Sequence, residues 1–147
     1  MKKIILHIGA PKTATTLIQS CLKKSSLALA DQGIFVCDFL GSSNHKLLAY
    51  TFREQNDGDV IQKKLRLHEP ELRKLAYSAL KEKFSDLISE ASVKKLVISS
   101  EDLQSKLIKN DIKNLSKFFH ELGFDVSVVL YIREQASAIN SHFSTTL

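Results

Sequence analysis

The chain has 147 residues, a net charge of +5, 44% hydrophobic and 25% charged residues, ordinary values for one globular domain spanning residues 1–147. No apolar run approaches the roughly 20 residues needed to span a bilayer. The apolar stretch after Lys2-Lys3 is too short for a signal peptide and no small-residue cleavage site follows it, so a cytoplasmic protein without an integral membrane segment is expected.

The lysines occur as scattered pairs (Lys2-Lys3, Lys23-Lys24, Lys63-Lys64, Lys94-Lys95) and are not interleaved with aromatic residues, which argues against a nucleic-acid partner. Cys21 and Cys37 form neither a disulfide framework nor a metal pair. Both read as buried reduced thiols, Cys21 on the apolar face of a helix and Cys37 after a short apolar run.

In chain order, residues 4–8 form an apolar run of the kind buried in a parallel sheet. Gly9-Ala10-Pro11 breaks it. From Ala14 onward Leu17, Ile18, Cys21, Leu22 and Leu29 recur at helical spacing until Asp31-Gln32-Gly33. Ile34-Phe35-Val36 predicts a second strand, residues 41–44 a loop, and residues 45–53 a short helix. Pro70 suits a helix's first turn, and Leu72, Leu75, Ala76, Ala79, Leu80, Phe84, Leu87 and Ile88 then hold a 3.6-residue period. Leu96-Val97-Ile98 predicts a strand ending in Ser99-Ser100-Glu101. A helix from about Asp111 carries Ile112, Leu115, Phe119 and Leu122 on one face and stops at Gly123. Residues 126–132 predict a β-branched strand, and helical character returns from Arg133. Strands that alternate with helices and are apolar throughout imply an α/β fold, a parallel sheet covered on both faces in three layers. In such folds ligands sit outside the carboxyl ends of the strands. Three polar constellations fall there: residues 11–16, 99–101 and 133–141.

In the first, Pro11-Lys12-Thr13-Ala14-Thr15-Thr16, a strand runs through a tight turn into a helix. Backbone N–H groups then stand at the positive end of the helix dipole, beside the Lys12 ammonium and the Thr15 and Thr16 hydroxyls. These groups fit a phosphate. The bland alternative is a turn with threonine capping and an exposed lysine. It is not the G-x-x-x-x-G-K-[ST] loop, because the second glycine is missing and Lys12 precedes the helix by several residues.

The order Pro-Lys-x-Gly-Thr-Thr is the 5′-phosphosulfate loop of sulfotransferases, and Pro11 to Thr16 resembles it. Ala14 replaces the family's glycine. It is harmless if that position is already helical, the expectation adopted, and costs about 1 kcal/mol if it must be left-handed. In the family, an arginine after a strand and a serine eight residues later grip the donor's 3′-phosphate, and Arg133 and Ser141 have that spacing. The resemblance therefore covers both ends of the chain. It implies a P-loop NTPase-like sulfotransferase fold, C-terminally truncated because such proteins run well beyond 147 residues.

The resemblance further implies 3′-phosphoadenosine 5′-phosphosulfate as co-substrate without a metal. Its sulfuryl group would pass to a hydroxyl or amine of a small-molecule, carbohydrate or lipid-linked acceptor. Lys12 and the loop amides would stabilise the leaving 5′-phosphate. Glu101 is a candidate general base or a structural neighbour of the next helix's cap, and His45 is the competing base. Two other readings stay open: a P-loop nucleotide kinase or NTPase with Glu101 near a metal, and a truncated nucleotide-binding module without activity.

Overall fold

The computed structural model describes residues 1–11, 13–132 and 134. Its centre is a four-stranded, all-parallel sheet in the order β2-β3-β1-β4, built from β1 (Lys2–His7), β2 (Ile34–Val36), β3 (Lys95–Ser99) and β4 (Phe124–Val129). The central pair is in register from Lys3↔Lys95 to His7↔Ser99, so the two strands end side by side. Parallel strands need crossovers, and these supply seven α-helices among the described residues. The β1–β2 crossover carries α1 (Thr15–Lys24) and α2 (Ser26–Ala30). The β2–β3 crossover carries α3 (Lys46–Phe52), α4 (Val60–Lys64) and α5 (Pro70–Ser89). The β3–β4 crossover carries α6 (Asp102–Lys106) and α7 (Lys109–Glu121).

The first crossover runs toward one edge of the sheet and the other two run back. Right-handed connections then place α1 and α2 on one face and α5 and α7 on the opposite one. The arrangement is compatible with three α/β layers. Among the described residues, no helix is long and apolar enough to cross a membrane.

Side-chain alternation sorts the two faces. Ile4, Leu6, Leu96, Ile98 and Phe124 join one buried cluster with Phe84, Phe118 and Phe119. Phe84 meets Phe118, Phe119 and Phe124 edge-to-face at 5.8, 5.4 and 5.9 Å, the geometry aromatic quadrupoles favour. Lys2 Nζ donates to the carbonyls of Leu87 and Glu90, so a cation closes the negative end of α5.

Several expected elements differ in detail. The helix after the first loop breaks at Ser25 into α1 and α2. Cys21 is exposed, contrary to the expectation of a buried thiol, whereas Cys37 is buried. The inward residues of α1 are Thr15 and Gln19, with Ile18 and Leu22 half-buried and Leu17 turned to solvent. The reason lies beneath the helix, where His7, Ser99 and Ser100 make the sheet end polar and accept a polar helix face.

In α5, Pro70 takes the first turn as expected, but Leu75 is exposed and the inward stripe is Leu80 and Phe84 with Tyr77, Leu87 and Ile88. Its N-terminal half lies along α3, through a Phe52–Tyr77 ring contact, before the helix reaches the sheet. Helix α7 begins two residues early, at Lys109. Asp111 accepts N–H bonds from Ile108 (3.1 Å) and Glu54 (3.3 Å), and Phe118 takes the buried place expected of Ile112. Strand β4 starts at Phe124, directly after Gly123, and regular pairing stops at Val129 rather than Ile132. The five-residue helices α4 and α6 carry no clear periodic signal.

Phe84→Ala is expected to lower unfolding free energy by about 3–5 kcal/mol in urea denaturation, because it empties the centre of the ring cluster. Leu75→Ala, on the exposed side of the same helix, should change it by less than about 0.5 kcal/mol.

Candidate functional site

The site lies where β1 and β3 end together. Between His7 and Thr15 the chain turns away from the sheet through Gly9, whose φ of +72° is left-handed. A Cβ there would stand 2.9 Å from Thr15 Cγ2 and 3.1 Å from Glu101 Cβ, so glycine is required by space as well as by torsion. Thr13 Oγ1 donates to Ala10 O at 2.6 Å and folds the loop on itself. On its outer side, Ile8 N–H donates to Val129 O at 3.0 Å and Ala10 N–H to Tyr131 O at 3.2 Å. The end of β4 thus continues alongside the loop after its regular pairing has stopped.

Ala14 is the N-cap of α1 with φ 61° and ψ 24°. This corrects the expectation that the position is helical: the turn needs the left-handed conformation that glycine adopts freely. No side chain among the described residues caps α1, and no acidic residue lies in its first turn. Its first intrahelical bond is Ile18 N–H to Ala14 O, which leaves the amides ahead of it without an intrahelical partner. Two of the other helices close this end with a side chain, whereas α2, α3, α5 and α6 have no side-chain cap either. Asp59 caps α4 through the N–H groups of Ile61 (2.9 Å) and Gln62 (3.1 Å), and Asp111 serves α7. The amides at the start of α1 stay without a side-chain cap, with the Glu101 carboxylate bonded to the Thr15 hydroxyl beside them.

Glu101 sits at the N-cap position of α6, yet its side chain makes no cap hydrogen bond. It accepts the Thr15 hydroxyl instead, Oγ1 to Oε2 at 2.5 Å, and so ties the end of β3 to the first residue of α1. The capping role left open by the sequence is not the one this carboxylate performs. Ser100 N–H donates to His7 O at 2.9 Å, and Ser100 Oγ donates to Asn44 Oδ1 at 2.7 Å. Asn44 Nδ2 donates to Asp102 at 3.0 Å. Burial pushes the Asp102 carboxyl up, and the Asn44 bond offsets this in part.

His45 is buried and bound twice to Ser99: its N–H donates to Ser99 O at 2.9 Å, and its Nδ1 accepts Ser99 N–H at 3.0 Å. The neutral ring therefore carries its proton on Nε2. Burial holds its pKa down at about 4, against the opposing pull of Asp38. His7 pairs through Nδ1 with Ser99 Oγ at 2.7 Å, and its ring meets Tyr131 edge-on. Burial lowers its pKa as well, with Glu101 opposing.

Of the expected site residues, Thr13, Ala14, Thr15 and Glu101 come together at the ends of β1 and β3, with Pro11 in the turn and the exposed Thr16 in the first turn of α1. His45 stands behind them, against Ser99. Lys12, Arg133 and Ser141 lie outside the described residues. Asn44, Ser99 and Ser100 were not singled out as site residues, although the Ser99-Ser100 pair at a strand end marked the place. No protein-family model matches the chain, and comparison with curated proteins gave no significant match.

Ala14→Gly should raise unfolding free energy by about 0.5–1 kcal/mol in urea denaturation, the relief of left-handed strain less glycine's entropy in the unfolded chain. The unfolded His45 titrates near 6.5 and the folded one near 4. Its contribution to stability is intact above pH 6.5, falls as pH drops from 6.5 to about 4, and levels off below that. The loss is on the order of 3 kcal/mol. A plot of urea midpoint against pH should lose that slope in His45→Phe.

Proposed function

We propose that the protein is a sulfotransferase of the P-loop type. It would move the sulfuryl group of 3′-phosphoadenosine 5′-phosphosulfate to a hydroxyl or amine acceptor. The observation that carries this reading is the uncapped start of α1, held by a braced, glycine-hinged loop whose sequence resembles the 5′-phosphosulfate loop. A helix N-terminus with free amides is suited to a phosphate that gains charge as a bond to it breaks. The hinge at Ala14 supports the resemblance, since the family's glycine would serve the left-handed torsion found there.

In this mechanism the acceptor oxygen forms a bond to sulfur while the bond from sulfur to the 5′-phosphate oxygen breaks in line. The acceptor's proton passes to Glu101, and adenosine 3′,5′-bisphosphate leaves. Loop amides of residues 13–16 and the Lys12 ammonium take up the charge on the leaving phosphate. Arg133 and Ser141 are assigned to the 3′-phosphate by the resemblance alone. Glu101 is the preferred base because His45, neutral with Nδ1 occupied and its proton on Nε2, can donate a hydrogen bond there but not accept one. The protein would work without an integral membrane segment or a nucleic-acid partner, in the cytoplasm.

One observation favours a second reading. A first-turn threonine hydroxyl bonded to a carboxylate at the end of the neighbouring strand also suits a magnesium-dependent nucleotide kinase or NTPase.

Calorimetry separates the two. Adenosine 3′,5′-bisphosphate should bind equally well with and without magnesium, and more tightly than ATP. Tight ATP binding that requires magnesium, with no binding of the bisphosphate, would favour the kinase reading. In a transfer assay Lys12→Ala should abolish turnover. Glu101→Gln should lower it on the order of 10²–10⁴-fold while leaving bisphosphate affinity within about threefold.

A further inference from the structure

Behind the loop, a cavity of about 320 Å³ opens between α1, the end of β2 and the segment leading into α3. Its polar wall comprises Gln19 and Lys23 from α1, Asp38 after β2, and Ser42, Ser43 and His45 from the following loop. Val36 is the one apolar side chain among the described β-strand residues lining it. The volume falls at the low end of the roughly 300–1,000 Å³ typical of small-molecule sites.

Two features mark it as more than a surface dent. Gln19 is only 6% exposed, and its Nε2 has no hydrogen-bond partner among the described residues. A buried amide donor of this kind is costly to leave unmade. His45 has its Nδ1 fixed against Ser99 N–H, which turns the Nε2–H to the other side of the ring as a second donor. The wall is also tied to the site. Asn44, between Ser43 and His45, binds Ser100 and Asp102 on either side of Glu101. Gln19 lies one helical turn, about 6 Å along the axis, from Thr15.

The chemistry of the wall selects among ligands. Its buried determinants are neutral donors, and its hydroxyls can both give and accept. Lys23 and Asp38 are of opposite sign, so the lining has no net charge. A planar apolar acceptor would leave Gln19 unsatisfied, and a polyanion would meet Asp38.

We propose that this cavity is the acceptor compartment and that it takes a neutral polyhydroxylated ring, one sugar residue in size. The word acceptor rests on the sulfotransferase reading above, whereas the occupancy by a polyol does not.

The test is a titration of the isotope-labelled 147-residue chain with methyl glycosides of glucose, galactose, mannose and N-acetylglucosamine, and with glycine and 2-naphthol as contrasts. At least one glycoside should shift the Gln19 side-chain amide and the His45 ring resonances. Gln19→Leu should weaken that glycoside about tenfold. Ser43→Ala, at an exposed position that leaves the fold unchanged, should weaken it severalfold. Adenosine 3′,5′-bisphosphate, added separately, reports on residues 9–16. If it binds and no glycoside does, or if glycine or 2-naphthol shifts Gln19 in their place, the polyol assignment is overturned while the donor reading stands. If a glycoside binds at Gln19 and the bisphosphate does not bind, the sugar site stands and its role as an acceptor compartment falls.

Discussion

The contact on which the site depends is the approach of two loops, those following β1 and β3. Gly9 comes so close to Thr15 and Glu101 that a methyl group would not fit, and the Thr15 hydroxyl closes the gap by bonding the Glu101 carboxylate. Because β1 and β3 are paired in register to their last residues, the two loops leave the sheet at one level. That level is set on the other face by the phenylalanine cluster around Phe84, which fixes β1, β3 and β4 against α5 and α7. The loop's level therefore follows from the sheet's packing, and its shape from Gly9, the Thr13–Ala10 bond and the Thr15–Glu101 bond.

Around this contact the carboxyl end of the sheet is polar and nearly all of it is satisfied. Ser99 serves both histidines, one through its hydroxyl and one through its backbone. Asn44 serves Ser100 and Asp102. A network of this kind stiffens the wall of a site, since each member would lose a buried hydrogen bond by moving. Against that background, among the described residues, three groups here lack a partner: the amides at the start of α1, the buried Nε2 of His7, and the Gln19 amide one turn farther along α1. The electrostatics place positive potential at the helix start and a carboxylate immediately beside it. The group transfer proposed above would use the helix start to hold a phosphate and the carboxylate as the base.

Much of this was legible in the sequence where hydrophobic period and turn chemistry agree. The apolar run at residues 4–8, the Ile34–Val36 strand, Pro70 at the start of α5 and Gly123 at the stop of α7 all appear where local physics puts them. What failed was the facing of α1. Leu17 and Cys21 read as inward because apolar residues usually are, but the surface beneath the helix is polar and draws in Thr15 and Gln19. Ala14 was read as helical, but it stands at the turn just ahead of α1 with a left-handed φ of 61°. The Thr15–Glu101 bond spans 86 residues and leaves no local signal in either segment. Strand β4 was read three residues too far because Leu130 to Ile132 remain β-like in composition, although regular pairing has ended.

The central claim is that the Thr15–Glu101 brace shapes the loop to receive a phosphate. A double-mutant cycle on adenosine 3′,5′-bisphosphate affinity tests it most directly, using Thr15→Ala, Glu101→Ala and the pair. If the brace shapes the loop, each single change breaks the same contact, so the double variant should bind about as weakly as either single one, with a coupling of about 1 kcal/mol or more. Additive losses, or single variants that bind the bisphosphate as tightly as the unaltered protein, would contradict it.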